Sequence, residues 1–320
     1  MKKTIFFVLV ASLFTGQLMG QQEAQYTQYM YNTLAINPAY AGSRGGLSIA
    51  GLHRSQWVGL DGAPVTQTLN AHSPVGERVG IGLSIINDNI GNGTSQETSF
   101  DGIFSYTIPV SVDGNLSFGL KAGGHLLNID LSRLQNQDPT FNTGQQVVVD
   151  NKFSPNFGLG AYYYTDTFYA GISAPNILET EHFDSSGQNA NLLARERLNF
   201  YIISGIVREL SEDFKFKPAV LLRGVSGAPL QVDLSANFMY QEKFTLGAAY
   251  RFGAAWSALA GYQLNDSLML GLAYDKETTE LGSTAFNNGS FEVFLRYEVF
   301  NLSAKEKTTM PRRVLTPRFF

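Results

Sequence analysis

Apolar and polar residues alternate with a period of two along most of the chain, from about residue 46 to residue 300. That period belongs to strands with one apolar and one polar face. In 229–241, Leu230, Val232, Leu234, Ala236, Phe238 and Tyr240 share one face, while Gln231, Asp233, Ser235 and Asn237 share the other. In 116–125, Leu116, Phe118, Leu120 and Ala122 oppose Ser117, Gly119, Lys121, Gly123 and His125. The pattern predicts about fourteen strands: 46–57, 66–73, 78–87, 95–108, 114–127, 152–164, 167–175, 196–208, 212–223, 229–240, 243–251, 254–263, 267–275 and 289–300.

A soluble sandwich also alternates. Two features point instead to a transmembrane barrel. Tyr240, Tyr250, Tyr262, Tyr274 and Phe300 fall near strand ends, where aromatic girdles meet the membrane surface. The connections are also sorted by parity. Those at 73–77, 109–113, 164–167, 209–213, 240–243 and 264–267 are short, whereas 128–151, 176–195 and 276–288 are long. Short periplasmic turns alternating with longer outer loops are the known asymmetry of outer-membrane barrels. A ten-residue strand tilted by about 40° covers roughly 25 Å, enough to span. The expected fold is therefore all-β: an antiparallel transmembrane β-barrel of about fourteen strands. An even strand count puts both ends in the periplasm.

Composition supports this picture. Charged residues are 16% of the chain, against about 25% in a soluble domain. Gly is abundant at 32 residues, and Gly80, Gly82, Gly119, Gly158, Gly160, Gly247 and Gly271 fall on the polar, inward faces. They leave lumen space for water or for an inserted piece of the chain. Asp233, Lys121, Arg251, Glu292, Arg296 and Glu298 lie on those same faces. Charge on the lipid side costs about 2–4 kcal/mol at mid-membrane for Arg or Lys, so these residues belong in the lumen, paired with one another. Net charge is −4 and cysteine is absent, which removes nucleic acid, disulfides and Cys-based metal sites from consideration.

Three segments lie outside the alternation. Residues 1–20 have a basic start (Lys2, Lys3), an apolar core from Ile5 to Leu13, and small residues up to Gly20. They read as a secretory signal peptide cleaved near Gly20, because the core is far shorter than the ~20 residues of a spanning helix. Residues 21–45 form an N-terminal periplasmic or lumen segment, in which Gln22 to Asn32 read as a short helix and Asn37-Pro38 as a turn. Residues 301–320 form a basic periplasmic tail, with Lys305, Lys307, Arg312, Arg313 and Arg318 against Glu306.

These outlying segments resemble the PorP/SprF family of type IX secretion-system outer-membrane proteins of Bacteroidota. The residues that carry the resemblance are Gln28-Tyr29-Met30-Tyr31-Asn32, then Asn37-Pro38-Ala39-Tyr40-Ala41-Gly42, then the block from Arg54-Ser55-Gln56-Trp57 to Pro64-Val65-Thr66. The terminal Pro317-Arg318-Phe319-Phe320 is similar to the family's usual ending. The resemblance implies a non-enzymatic component without cofactor or metal. Its partners would be outer-membrane lipids, ring or translocon proteins of the secretion machine, and an exported surface adhesin.

Each candidate site has a structural and a functional reading. Gln28, Tyr29, Asn32, Asn37, Pro38, Tyr40, Gly42, Arg54, Gln56, Trp57 and Pro64 either dock a partner or close the barrel mouth, or else shape the turn into the first strand and pack on the wall. For Arg54, Gln56 and Trp57, burial of Trp57 beside a lumenal Arg54 is the equally weighted structural reading, a cation–π pair contributing ~0.5–2 kcal/mol. Arg312, Arg313, Arg318, Phe319 and Phe320 would contact an acidic partner or the phospholipid surface, or remain solvated with the last aromatic guiding assembly. Catalytic chemistry finds little support. The four histidines, His53, His72, His125 and His182, form no HExxH or other metal-ligand spacing, and no GxSxG or phosphate loop occurs. Asp88 to Gly93 reads as a hairpin loop. A fatty-acid-type transport barrel is the competing reading, and it requires an apolar ligand pocket with a lateral opening.

Overall fold

A computed structural model describes residues 25–130, 133, 148–179, 181–184, 191–195, 198–284 and 286–299. Fourteen antiparallel strands close into a barrel. They are β1 (Leu47–Ser55), β2 (Val65–Val75), β3 (Val79–Ile90), β4 (Ser95–Pro109), β5 (Asn115–Asp130), β6 (Val148–Tyr164), β7 (Phe168–Asn176), β8 (Asn199–Ile206), β9 (Phe214–Val225), β10 (Gln231–Tyr240), β11 (Phe244–Arg251), β12 (Ala255–Gln263), β13 (Leu268–Glu277) and β14 (Ser290–Val299). The two-residue strand Arg208–Glu209 extends β8 along β9. A separate hairpin, Glu181–Asp184 with Asn191–Arg195, lies in the β7–β8 connection. Each strand pairs with its sequence neighbours, and β1 pairs with β14 from Leu47↔Val299 to Ser55↔Phe291. Closure removes the free edges, so the backbone donors and acceptors of the wall find partners without water.

The core is inverted relative to a soluble protein. The outward positions are large and apolar, with Leu83 64% and Leu246 67% exposed, beside Phe104, Phe118, Leu120, Leu272 and Leu295. The alternate, inward positions are polar and buried: Thr66, Asn70, Ser84, Asp101, Ser105, Lys121, Asn156, Asn237 and Asp275. An apolar belt around the whole barrel has no place in water. In hydrocarbon it is the favourable surface. Cross-strand aromatic pairs rim the belt. Phe214–Tyr240, Phe216–Phe238 and Phe244–Tyr262 stand near one end, with centroids 4.7–4.8 Å apart. Tyr250–Trp256 and Tyr274–Phe291 stand near the other, at 4.2 and 5.0 Å.

The loops sort to the two ends as the parity predicts. The turns at 76–78, 110–114, 165–167, 241–243 and 264–267 lie at one end, and β1, β5, β7 and β13 finish at the other, where the long connections start. The 91–94 turn is short although it belongs to the long-loop end. Asp88 is not in it but on β3, where its carboxylate accepts from Thr66 Oγ1.

β1 starts and β14 finishes at the short-turn end. The chain ahead of β1, however, does not leave there. It doubles back through the lumen, so Gln25, the first described residue, reaches Arg251 near the long-loop end at 3.1 Å. The expected helix over 22–32 is also not formed where described: residues 27–31 make turns, and one short helix, α1, spans Thr33–Ile36. The N–H groups of Thr27 and Gln28 bond to the Glu292 carboxylate of the wall.

Because the belt faces lipid, Leu83→Arg, near the middle of β3, is expected to destabilise the folded barrel by about 2–4 kcal/mol. Denaturant titration in lipid vesicles checks this; a change below about 0.5 kcal/mol would show that the face is not in hydrocarbon.

Candidate functional site

Residues 25–46 fill the lumen. Nearly every residue of this plug is buried, and Gln28, Tyr29 and Asn37 are at most 1% exposed. Its path is fixed at three levels by wall residues.

At the long-loop level, Arg54 of β1 sits between two carboxylates. Its Nη1 donates to Asp275 Oδ2 and to Glu292 Oε1, each at 2.7 Å, and to Thr27 Oγ1 at 3.1 Å. Thr27 Oγ1 donates in turn to Asp275 Oδ2 at 2.6 Å. The Glu292 carboxylate takes the Thr27 and Gln28 N–H groups at 2.5 and 3.0 Å. Three wall charges and the plug backbone thus form one buried network.

At the middle level, Tyr29 OH meets Ser235 Oγ at 3.1 Å. The Asn32 amide pairs with Asn70 and Thr68. Tyr31 stacks on Phe294 at 5.5 Å, with Lys217 and Arg296 each 5.8 Å from its ring centre.

At the short-turn level, Asn37 Oδ1 caps the one-turn helix Pro38–Tyr40 by accepting from Ala39 N–H at 2.9 Å, and its Nδ2 donates to the Ala161 carbonyl at 3.1 Å. Pro38 occupies the first helical position, where a missing N–H costs nothing. Tyr40 packs edge-on against His72 and Tyr162. Ser173 and Ser105 donate to the Ile36 and Ala41 carbonyls at 2.6 and 2.7 Å. Arg44 then donates to Glu298 of β14 through Nε and Nη2, at 2.6 and 2.8 Å.

Glycine makes this fit possible at two places. A side chain at Gly119 would enter the backbone of Pro38 and Ala39. Gly42, at φ +75°, turns the plug into β1 where a Cβ would lie 2.8 Å from Gly80 Cα.

The motif block from Arg54 onward divides. Arg54 belongs to the lumen, whereas Gln56 to Pro64 form a ledge at the long-loop end. Gln56 N–H donates to the Pro64 carbonyl at 2.9 Å; Val58 exchanges backbone bonds with Gly289 and Asn288, both at 2.8 Å. Gly91 N–H donates to Gly62 O at 2.8 Å, and Asn92 Nδ2 to Asp61 Oδ1 at 2.7 Å. Trp57 does not stack on Arg54. It turns to the 278–290 side, where its ring N–H donates to Glu277 and its backbone N–H to Ser290. Its φ of 46° is a left-handed conformation, costly for a bulky residue and held only by such surroundings.

Sequence reasoning placed the wall charges in the lumen, and they pair there: Lys121 with Asp101 at 3.0 Å and Arg251 with Asp233 at 3.0 Å. It missed Thr27, Arg44, Asp275, His72 and Ser105 as plug contacts. Arg312, Arg313, Arg318, Phe319 and Phe320 lie outside the described residues, as do the signal segment and Phe300. Among the described residues, no group of three or more His, Cys, Asp or Glu is arranged to hold a metal.

The model of one family, described as "Type IX secretion system membrane protein PorP/SprF", matches residues 18–297. The chain belongs to the PorP/SprF family. The match takes in the plug, the ledge and nearly all of the barrel, so these are features of a PorP/SprF protein and not an appended module. No curated protein matches the sequence. Similar solved structures include the Acinetobacter baumannii outer membrane protein Omp33, 8% identical with a TM-score of 0.47, covering 79% of this chain and 98% of that one. Another is the Pseudomonas putida toluene transporter TodX, 12% identical with a TM-score of 0.49, covering 90% and 97%. A third is the KdgM porin, 10% identical with a TM-score of 0.39, covering 78% and 98%.

Two substitutions test the plug. Arg54→Met leaves Asp275 and Glu292 buried without their cation and is expected to cost about 3–5 kcal/mol, read by denaturant unfolding. Gly119→Val is expected to push residues 38–39 off the wall and raise ion conductance in planar bilayers well above the wild-type level. Unchanged conductance would mean that the plug is not what closes the lumen.

Proposed function

We propose that this PorP/SprF protein is a non-enzymatic outer-membrane component of the type IX secretion system whose working surfaces are its two ends. In this reading the long-loop end faces outward and holds an exported cell-surface protein, such as a gliding adhesin. The short-turn end faces the periplasm and meets the secretion or motility machinery, with the basic tail from Lys305 to Arg318 as a further contact.

The observation that carries the reading is the filled lumen. A barrel occupied by a segment of its own chain, tied to the wall at three levels, offers little to a diffusing substrate, which moves the function to the loops. The ledge at 56–64 supports it: half-buried loop residues, with Gly59 and Asp61 exposed, are held by backbone bonds to two neighbouring loops and present a surface that loses little entropy on binding. The family supports the secretion context. The transport reading would need an open apolar ligand pocket inside the wall, and the apolar wall groups there, among them Leu52, Ile103, Tyr162, Leu221 and Phe294, are buried in one core with the plug.

Two measurements test this. Affinity capture from detergent-solubilised outer membranes is expected to recover secretion-system components and a large exported surface protein; if deletion of the gene left export and attachment of every such protein intact, the reading fails. Orientation is tested separately, since the chain has no native cysteine. A cysteine replacing Phe286, 70% exposed on the long-loop end, is expected to react with an impermeant maleimide on whole cells. One replacing Ser211 at the short-turn end is expected to react only after the outer membrane is permeabilised; the opposite pattern would invert the barrel.

A further inference from the structure

The plug and the wall enclose a small cavity near the short-turn end. It is lined by Tyr31, Asn32, Tyr40 and Arg44 of the plug and by Ser48, Asn70, His72 and Arg296 of the wall, among others. Its volume, about 10 Å³ for the centre of a water-sized sphere, admits one small occupant.

The charges around it do not balance. Arg44 and Arg296 are 2% and 3% exposed, and both look to one carboxylate, Glu298, at 2.6 and 3.6 Å. Lys217, a further basic side chain, stands over the same Tyr31 ring as Arg296. Both guanidiniums also keep a buried nitrogen without a hydrogen-bond partner, Arg44 Nη1 and Arg296 Nε. A buried, permanently charged donor left unsatisfied is expensive, and more so beside another of its own sign.

The other lining groups are donors or can become so. His72 Nδ1 accepts from Gly42 N–H at 3.0 Å, so the proton of the neutral ring is on Nε2. Tyr31, Tyr40 and Ser48 carry hydroxyls. Asn70 Oδ1 is a buried acceptor without a partner. Turning the Asn32 and Asn70 amides over together keeps their mutual bond, lets Thr68 donate to Asn32, and leaves an Asn70 N–H in place of that acceptor.

We infer that the cavity between Arg44 and Arg296 binds a small monovalent inorganic anion of the halide class, which fastens the plug to the wall. A carboxylate or phosphate is too large for the space. A metal cation would meet two guanidiniums. Water fits by size but adds no negative charge. This inference does not depend on the secretion reading.

The test uses the full chain in detergent micelles, with thermal unfolding followed at constant ionic strength as sodium gluconate is exchanged for sodium chloride or bromide. The expected result is a saturable rise in Tm with either halide, about 2–4 °C for each 1 kcal/mol of linkage. In crystals grown with bromide, an anomalous peak is expected between the two arginines. Ala50→Val, which narrows the cavity without touching a charge, should keep the barrel folded and abolish the halide-specific rise. Arg296→Gln should do the same with the Arg44–Glu298 pair intact. Coincident gluconate and halide curves, a water without anomalous signal at the position, or an undiminished rise in Ala50→Val would each overturn the inference.

Discussion

A barrel wall is one residue thick, so its inner face has only water or more polypeptide to meet. That constraint organises this molecule. In lipid, every backbone group must be satisfied within the wall, which closes fourteen strands on themselves. Closure sends the apolar half of each strand outward and the polar half inward. Charged residues can then stand only on the inner face, and there they must be paired or capped. The plug completes that requirement, because it brings donors, acceptors and a further cation to wall groups that the strands alone leave unmatched.

The pairing also ties the two ends of the chain together. Arg44 and Glu298 are 254 positions apart, and Arg54 lies 238 positions from Glu292. All four flank or occupy the β1–β14 seam that closes the barrel. The ion pairs therefore do two things at one place: they neutralise charge in the lumen and they hold the first strand and the plug against the last strand. Apolar packing shares the seam, since Leu52 and Phe294 face each other across it and are both buried.

The wall was legible in the sequence because its grammar is local. Period-two alternation located all fourteen strands to within a few residues, and loop parity sorted the two ends. Tyr240, Tyr250, Tyr262 and Tyr274 took their places in the aromatic rims for the same local reason. The plug was not legible in this way. Its residues carry no period, and their partners are hundreds of positions distant, so Gln28 and Asn37 could be marked by resemblance but not placed. Nothing local tells that Thr27 should cap Glu292 or that Arg44 should reach Glu298. Trp57 shows the same limit: a neighbour in sequence, Arg54, was a natural partner, yet β1 ends at Ser55 and the chain turns, leaving one residue in the lumen and the other on the ledge. The inward glycines were the best indirect signal: they marked lumen space for water or an inserted segment, and at Gly80, Gly119, Gly160 and Gly271 the plug occupies it.

The plug and ledge also bear on how a closed barrel can work. Both are built from the same family blocks, and Arg54 joins them, since it anchors the plug one strand-end away from Gln56. A force or ligand acting on the ledge is therefore carried into β1 and the buried network at Asp275 and Glu292. These contacts are short, charged and inside the wall, where water screens them little. A surface protein held at the loops would pull on the seam of a filled cylinder and not on a flexible loop over an empty one. On the proposed reading, in which the barrel keeps the membrane sealed while a large protein is attached to it, filling the lumen and stiffening the rim meet the same demand.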